Sequence, residues 1–252
     1  MLGPFLRNPF WRLKRFQAHF TTAFRSAGEQ WRLDAERYRQ CSAREAVIKA
    51  YLAENSPRRL QIGSGNIVVE GWLCSDLTPV DKRVIFLDAL CPFPFEDEMF
   101  DYIHSEHLIE HLPYDGGLFM LRESFRVLRE GGRIRIATPD LAVFAHLCVS
   151  PLSAEQRAYL DWSINAFLPG RKVARPSFVV NNMFRDWGHQ FLYDEETLCA
   201  TLSDAGFGSI ERCNVGESSD LQLSGIERHG SLIGEKNNLF ETMVFEGRRP
   251  VE

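Results

Sequence analysis

The feature that most constrains this sequence is a series of short apolar segments after Pro57, the first of which ends in Gly63-Ser64-Gly65. Residues 59–62 read as a buried strand, and 72–76, 84–88, 100–104 and 133–137 read as four more. Between the fourth and fifth, 108–129 has helical spacing with breaks near Pro113 and Gly116-Gly117, and Gly131-Gly132 turns the chain into the next strand. Strands alternating with helices imply a doubly wound α/β fold: a mostly parallel sheet with helices on both faces.

The chain supplies enough residues for that architecture. Its 252 residues suit one large domain or two small ones and need no disulfide or metal to complete a core. With 44% apolar and 25% charged residues, the composition excludes whole-chain disorder, collagen-like repeats and a coiled coil. No apolar run approaches the roughly 18 residues of a membrane span, and the N-terminus lacks the apolar core of a secretory signal. A net charge of −5 argues against a nucleic-acid partner, which calls for a basic footprint. The six cysteines are scattered without a CxxC pair, which speaks for reduced thiols and a cytoplasmic protein.

The flanks differ from this centre. Residues 1–25 hold five basic residues, six large aromatics and no acid, a composition suited to an anionic membrane surface or to packing on the domain or a second subunit, as in a homodimer. Residues 29–54 are mixed-charge and helical, and Asn55-Ser56-Pro57 ends them. The expected organisation is an N-terminal helical extension over 1–55 and a main domain over 56–252, with 140–190 as an inserted lid. Further on, Asp194 is a helix N-cap, the helix runs to Ala205, and Gly206 closes it. Strands are expected at 209–215 and 239–246, joined by a long polar loop over 216–237.

Three sets of residues suggest chemistry. A strand ending in Gly63-x-Gly65 lets the backbone turn sharply and approach a ligand at the carboxyl edge of the sheet. A dinucleotide fingerprint would place a third glycine at 68, where Val68 stands, and its acid about 20 residues on, whereas Asp76 follows Gly65 by only 11. The spacing speaks against NAD. Asp76 and Asp88 close the second and third strands, where a carboxylate accepts hydrogen bonds from a ribose diol or an adenine amine, or simply caps a turn.

The series LQIGSG, GWLCSDL, FLDALCPFPFEDEMFDYIHSEHLIEHL and LREGGRIRIATPDL resembles the class I S-adenosylmethionine-dependent methyltransferases, nearest the type 11 branch. A weaker likeness returns in GHQFLYDEETLCATLSDAGF. The resemblance implies a Rossmann-like sheet of seven strands with the last antiparallel, S-adenosylmethionine as cofactor, and methyl transfer to a small-molecule or glycan-type acceptor. It further implies that Gly63, Ser64 and Gly65 approach the methionine end of the cofactor and that Asp76 holds the ribose. Asp88 with Ala89 would recognise adenine, and His104 and Ser105 would lie near the methyl group.

Histidines complete the list. His107, Glu110 and His111 spell H-x-x-E-H, which on a helix would bind zinc and make a hydrolase; the family's own "EHL" explains the same residues without a metal. His104, His107 and His189 are candidate general bases, His104 and His189 ahead of His107, while His111 is expected on the packed side of its helix. A silent methyltransferase-fold module serving a larger assembly is the third reading.

Overall fold

The computed structural model describes residues 43–251 apart from Asn66 and Lys172. The basic, aromatic segment 1–25 lies outside them. Helix α1 is helical over its described residues 43–54. Seven strands follow: β1 (Arg59–Ile62), β2 (Leu73–Asp76), β3 (Val84–Phe86), β4 (Phe100–Glu106), β5 (Leu128–Pro139), β6 (Gly208–Cys213) and β7 (Thr242–Arg248). They form one sheet in the order β3-β2-β1-β4-β5-β7-β6. The first five are parallel, and β7 runs antiparallel to both of its neighbours. β1 pairs with β2 on one side and β4 on the other, so the chain reverses its direction of winding there. Such a switch point opens a crevice at the carboxyl ends of the two strands.

Side chains alternate across the sheet and give it two unlike faces. Leu60, Ile62, Leu73, Ile103, Ile134, Ile136 and Phe245 lie on one face in the main core. Val47, Ile48, Tyr51 and Leu52 of α1, Met120 and Leu121 of α2 (Tyr114–Val127), and Leu198 and Leu202 of α6 (Glu195–Asp204) join the same core. Each fully buried Leu or Ile contributes about 1.5–3 kcal/mol, so this face carries most of the apolar stabilisation. On the other face the register aligns Cys74, Gln61, His104, Arg135, Glu246 and Glu211 in one polar row.

Coil covers that polar row. Leu223 and Ile226 pack on Trp72, Cys74 and Val84. Arg135, fully buried, is ion-paired with Glu227 and, at 2.6 Å, with Glu246. It also donates to the carbonyls of Glu217 and Asn214 at 2.9 and 3.1 Å. One cation thus fastens the 214–227 coil to the sheet while satisfying two buried carboxylates, the condition under which buried charges are tolerated.

Local chemistry explains where elements depart from the sequence reading. β4 continues two residues past His104, to Glu106. The 108–129 segment divides at Pro113 into a 3₁₀ turn (Ile109–His111) and α2. Gly116 and Gly117 do not break α2; a Cβ on either would collide with Leu90 or Tyr193, so they permit close packing instead. The 216–237 stretch contains α7 (Gly230–Ile233) and the start of α8 (Glu235–Glu241), and α8 delays β7 to Thr242.

Residues 140–190 are more regular than their sequence suggests. They form α3 (Leu141–His146), α4 (Ala154–Phe167) and α5 (Pro176–Arg185). Ser153 and Gln156 exchange the reciprocal bonds of a capping box at the start of α4, and Pro176 opens α5. The three helices share a separate apolar cluster around Phe144, Leu160, Ile164 and Val179.

Candidate active site

A cavity of about 570 Å³ lies at the carboxyl ends of β1 and β4, beneath α4 and α5. Its first wall is the turn after β1. Gly63 and Gly65 have φ of 73° and 56°, the left-handed region that glycine enters without penalty. A Cβ on Gly63 would stand 2.8 Å from Leu108, whereas one on Gly65 would meet nothing within 4 Å. The turn is therefore packed on its first glycine and open on its second. The N–H groups of Gly63 and Ser64 both donate to the Ser75 carbonyl at 2.9 Å, which fastens the turn to β2.

Asp76 and Asp88 stand at the ends of β2 and just past β3, as the sequence suggests. Asp76 accepts the Gly65 N–H on Oδ2 and the Thr78 N–H on Oδ1, each at 2.8 Å. Asp88 accepts the Leu90 N–H at 3.0 Å. Each oxygen keeps accepting capacity for a diol or an amine. Neither residue lines the enclosed cavity, because β2 and β3 lie on the far side of β1. Ala89 is buried in the main core.

The opposite wall carries the acids and histidines. Because β4 runs on to Glu106, Glu106 and His107 reach the cavity, and His104 and Ser105 do not. His104 sits in the polar row, 1% exposed, with its ring edge-on to Trp72. Burial, with Arg135 and Arg228 adding to it, pushes its pKa down to about 3, so its ring is neutral and sealed away from any acceptor. Ser105 is buried beside it.

His107 occupies a left-handed turn position with φ 48°. Its Nδ1 lies 3.1 Å from Glu110 Oε1 and its Nε2 is 3.1 Å from Thr242 Oγ1. Burial disfavours its charged form, but the Glu110 carboxylate outweighs burial and holds the pKa above the ordinary histidine value. The Thr138 hydroxyl donates to the other Glu110 oxygen at 3.0 Å. His229 stacks on His107 with ring centres 3.7 Å apart, and its Nε2 lies 3.5 Å from Glu241. Tyr159 of α4 donates its hydroxyl to the same Glu241 carboxylate.

His189 follows α5 and hangs from the Met183 carbonyl through Nδ1 at 2.7 Å. A carbonyl only accepts, so Nδ1 carries the proton and Nε2 is the basic nitrogen. Burial lowers its pKa, although Glu110 and the Met183 carbonyl pull the other way. His111 also lines the cavity, edge-on to His189 with ring centres 4.8 Å apart; it does not sit on a packed helix face, because residues 109–111 form a single 3₁₀ turn. For the same reason His107 and His111 do not share one face of an α-helix. The structure gathers Glu110, His111 and His189, and separately His107, His229 and Glu241, each with ligand atoms within 4.8 Å. It does not gather the His107, Glu110 and His111 set of the hydrolase reading. Either gathered set could take a divalent cation through mixed imidazole and carboxylate donors.

Sequence reasoning missed Tyr159, His229, Glu241 and Thr242, which lie 52 or more positions beyond His107 in helix α4, a polar loop and a helix–strand junction. Nothing in their local sequence marks them.

The family model described as a methyltransferase domain matches residues 60–136. No curated protein matches the chain. Among solved structures, a Haemonchus contortus phosphoethanolamine N-methyltransferase 2 in complex with S-adenosyl-L-methionine is 17% identical; the match covers 82% of this chain and 52% of that one, with a TM-score of 0.42. The chain thus spans about half the length of that protein. A Thermotoga maritima S-adenosylmethionine-dependent methyltransferase, described as a possible histamine N-methyltransferase, is also 17% identical, over 86% of this chain and 97% of that one, with a TM-score of 0.44. An Archaeoglobus fulgidus S-adenosylmethionine-dependent methyltransferase is 17% identical over 84% and 93%, with a TM-score of 0.43. Those likenesses are distant, and the weight falls on the sequence match, whose residues hold the glycine turn, both strand-end aspartates and the first five strands of the sheet. Over that segment the chain is similar to the methyltransferase domain family.

Proposed function

We propose that the protein transfers a methyl group from S-adenosylmethionine to a small-molecule or glycan-type acceptor that enters the cavity beneath α4 and α5. The observation that carries this reading is the placement of the cavity, which begins at the glycine turn and ends at a wall of histidines and carboxylates. The cofactor supplies an electrophilic methyl on a sulfonium. The open side of Gly65 would admit the methionine end, Asp76 would hold the ribose hydroxyls, and Asp88 with the Ala89 backbone would recognise adenine. The residues present fit these roles: the glycine turn leaves room and the carboxylates retain lone pairs.

The protein's own contribution is alignment and shelter from water. We assign 56–252 as the catalytic domain, 140–190 as its lid, and 1–55 as the extension. The acceptor's proton passes to His189, whose Nε2 is free to accept it. His107, engaged at both nitrogens, ranks second and steadies Glu110. His104 has no part in this step. The scattered cysteines support a cytoplasmic setting, and residues 1–25 are the segment we would test for surface or subunit contact. Among the described residues no helix is long and apolar enough to cross a membrane.

The test is to supply S-adenosylmethionine with pools of small metabolites and glycans and to follow release of the demethylated cofactor. Acceptor-dependent release that disappears in His189→Ala supports the assignment. No release above the acceptor-free rate with any pool removes it.

A further inference from the structure

The charge of the cavity is one-sided. Glu106, Glu110 and Glu241 all line it, and no lysine or arginine is among the described residues that do. Arg228, next to the lining in sequence, turns its guanidinium to the carbonyls of Gly225 and Glu227. Histidines and neutral groups satisfy the carboxylates only in part: Glu110 lies 3.1 Å from His107 and Glu241 3.5 Å from His229. Glu106 accepts the N–H groups of Arg228 and His229 at 2.8–3.0 Å. Glu110 takes the Thr138 hydroxyl and Glu241 the Tyr159 hydroxyl.

A chain of aromatic rings lines the same cavity and adjoins Glu241 through Tyr159. Tyr159, Trp162, Phe167 and Trp187 touch in sequence, with ring centres 5.4, 5.2 and 4.9 Å apart. The Ser64 hydroxyl, 5% exposed and without a partner, lines the same space.

We infer that the acceptor is a basic amine carried on an apolar or aromatic body, methylated on its nitrogen. Three carboxylates with no lysine or arginine among the described lining residues repel phosphate or carboxylate on an acceptor and oppose a hydroxyl's ionisation. The same carboxylates and aromatic faces attract an ammonium group. In the transfer, the amine first gives one proton to His189 Nε2, which passes it to water. The nitrogen lone pair then bonds the methyl carbon while the carbon–sulfur bond breaks and its electron pair stays on sulfur. Positive charge leaves sulfur and arrives on nitrogen, and fixed carboxylates stabilise charge at the place where it develops. The transfer step rests on the methyl-transfer reading above; the preference for a cation does not.

The experiment is calorimetric titration of the full chain with tryptamine, tryptophol and indole-3-acetate, which share a ring system and differ in charge. Tryptamine is expected to bind at least tenfold more tightly than tryptophol, and indole-3-acetate more weakly than either. Glu241→Gln and Glu110→Gln, each checked for an unchanged melting profile, should bring the amine-to-alcohol ratio down at least threefold. Tryptophol or indole-3-acetate binding as tightly as tryptamine overturns the inference, and so does a ratio that neither folded variant moves. If both variants unfold, the wild-type series decides alone. A separate titration with S-adenosylmethionine tells the two readings apart. Amine preference without cofactor binding defeats methyl transfer only, and cofactor binding without amine preference defeats this inference only.

Discussion

The two walls of the cavity are built by opposite means. The glycine-turn wall comes from one continuous stretch and uses backbone: two left-handed glycines and two N–H groups on one carbonyl, with Asp76 outside the cavity accepting the Gly65 N–H. The histidine wall comes from four separated stretches and uses side chains, with Glu106, Glu110 and Glu241 held by donors from β5, α4 and the 228–229 coil. Backbone geometry suits a cofactor that stays the same across many enzymes. A side-chain wall suits an acceptor that differs among them, because single substitutions re-aim it without disturbing the fold.

If the division of labour holds, a change in one wall leaves the other's task intact. The largest effect is expected from His189→Ala. Loss of a positioned base costs typically 10²–10⁴-fold, and turnover should fall by that range while cofactor affinity, measured by calorimetry, stays within about twofold. Equal losses of turnover and affinity would mean that the walls are not separate.

Next come the two glycines, which differ in kind. Gly63→Val places a side chain against Leu108 on a left-handed backbone, and each of these faults costs about 1–3 kcal/mol. The melting temperature should drop sharply. Gly65→Ala has only the backbone cost, about 1–2 kcal/mol, since its surroundings are open. Thermal denaturation that ranks the two equally would refute the packed-and-open description of the turn.

The smallest of the three is a stability effect under the cavity. His104 has its folded pKa near 3, below the ordinary 6.5. A histidine held neutral gives its full stability above 6.5 and loses it as pH falls toward the folded value, because the unfolded chain takes up the proton first. Between pH 7 and pH 5 the loss is about 2 kcal/mol, at about 1.36 kcal/mol per unit. Urea unfolding of His104→Gln should show that much less acid sensitivity. A variant as acid-sensitive as the parent would place the burden on other groups.

The sheet was legible because its signals are local. Apolar runs of four or five residues, the glycine doublets and the Asp194 cap each act within a few positions, and the strands fall within a few residues of where those signals put them. The site was legible only where it too is local. His104 looked like the end of β4, but pairing with Ser105–Ile136 and Glu106–Ala137 carries the strand two residues further and turns His104 into the sheet. His111 looked like a helix-face residue until Pro113 cut the helix behind it. Gly116 and Gly117 looked like a break because the close approach of Leu90 and Tyr193 is a tertiary fact. Glu241 and Tyr159 meet across 82 positions, and no pattern within either segment announces the other.

Calorimetric titration of S-adenosylmethionine into three proteins decides whether the glycine-turn wall binds that cofactor. One site is expected in the parent chain and an unchanged site in His189→Ala. In Asp76→Ala a ten- to hundredfold weaker site is expected, the loss of a charge-assisted hydrogen bond worth about 1.5–3 kcal/mol. No binding to the parent chain, or binding that Asp76→Ala leaves untouched, would contradict cofactor binding at that wall.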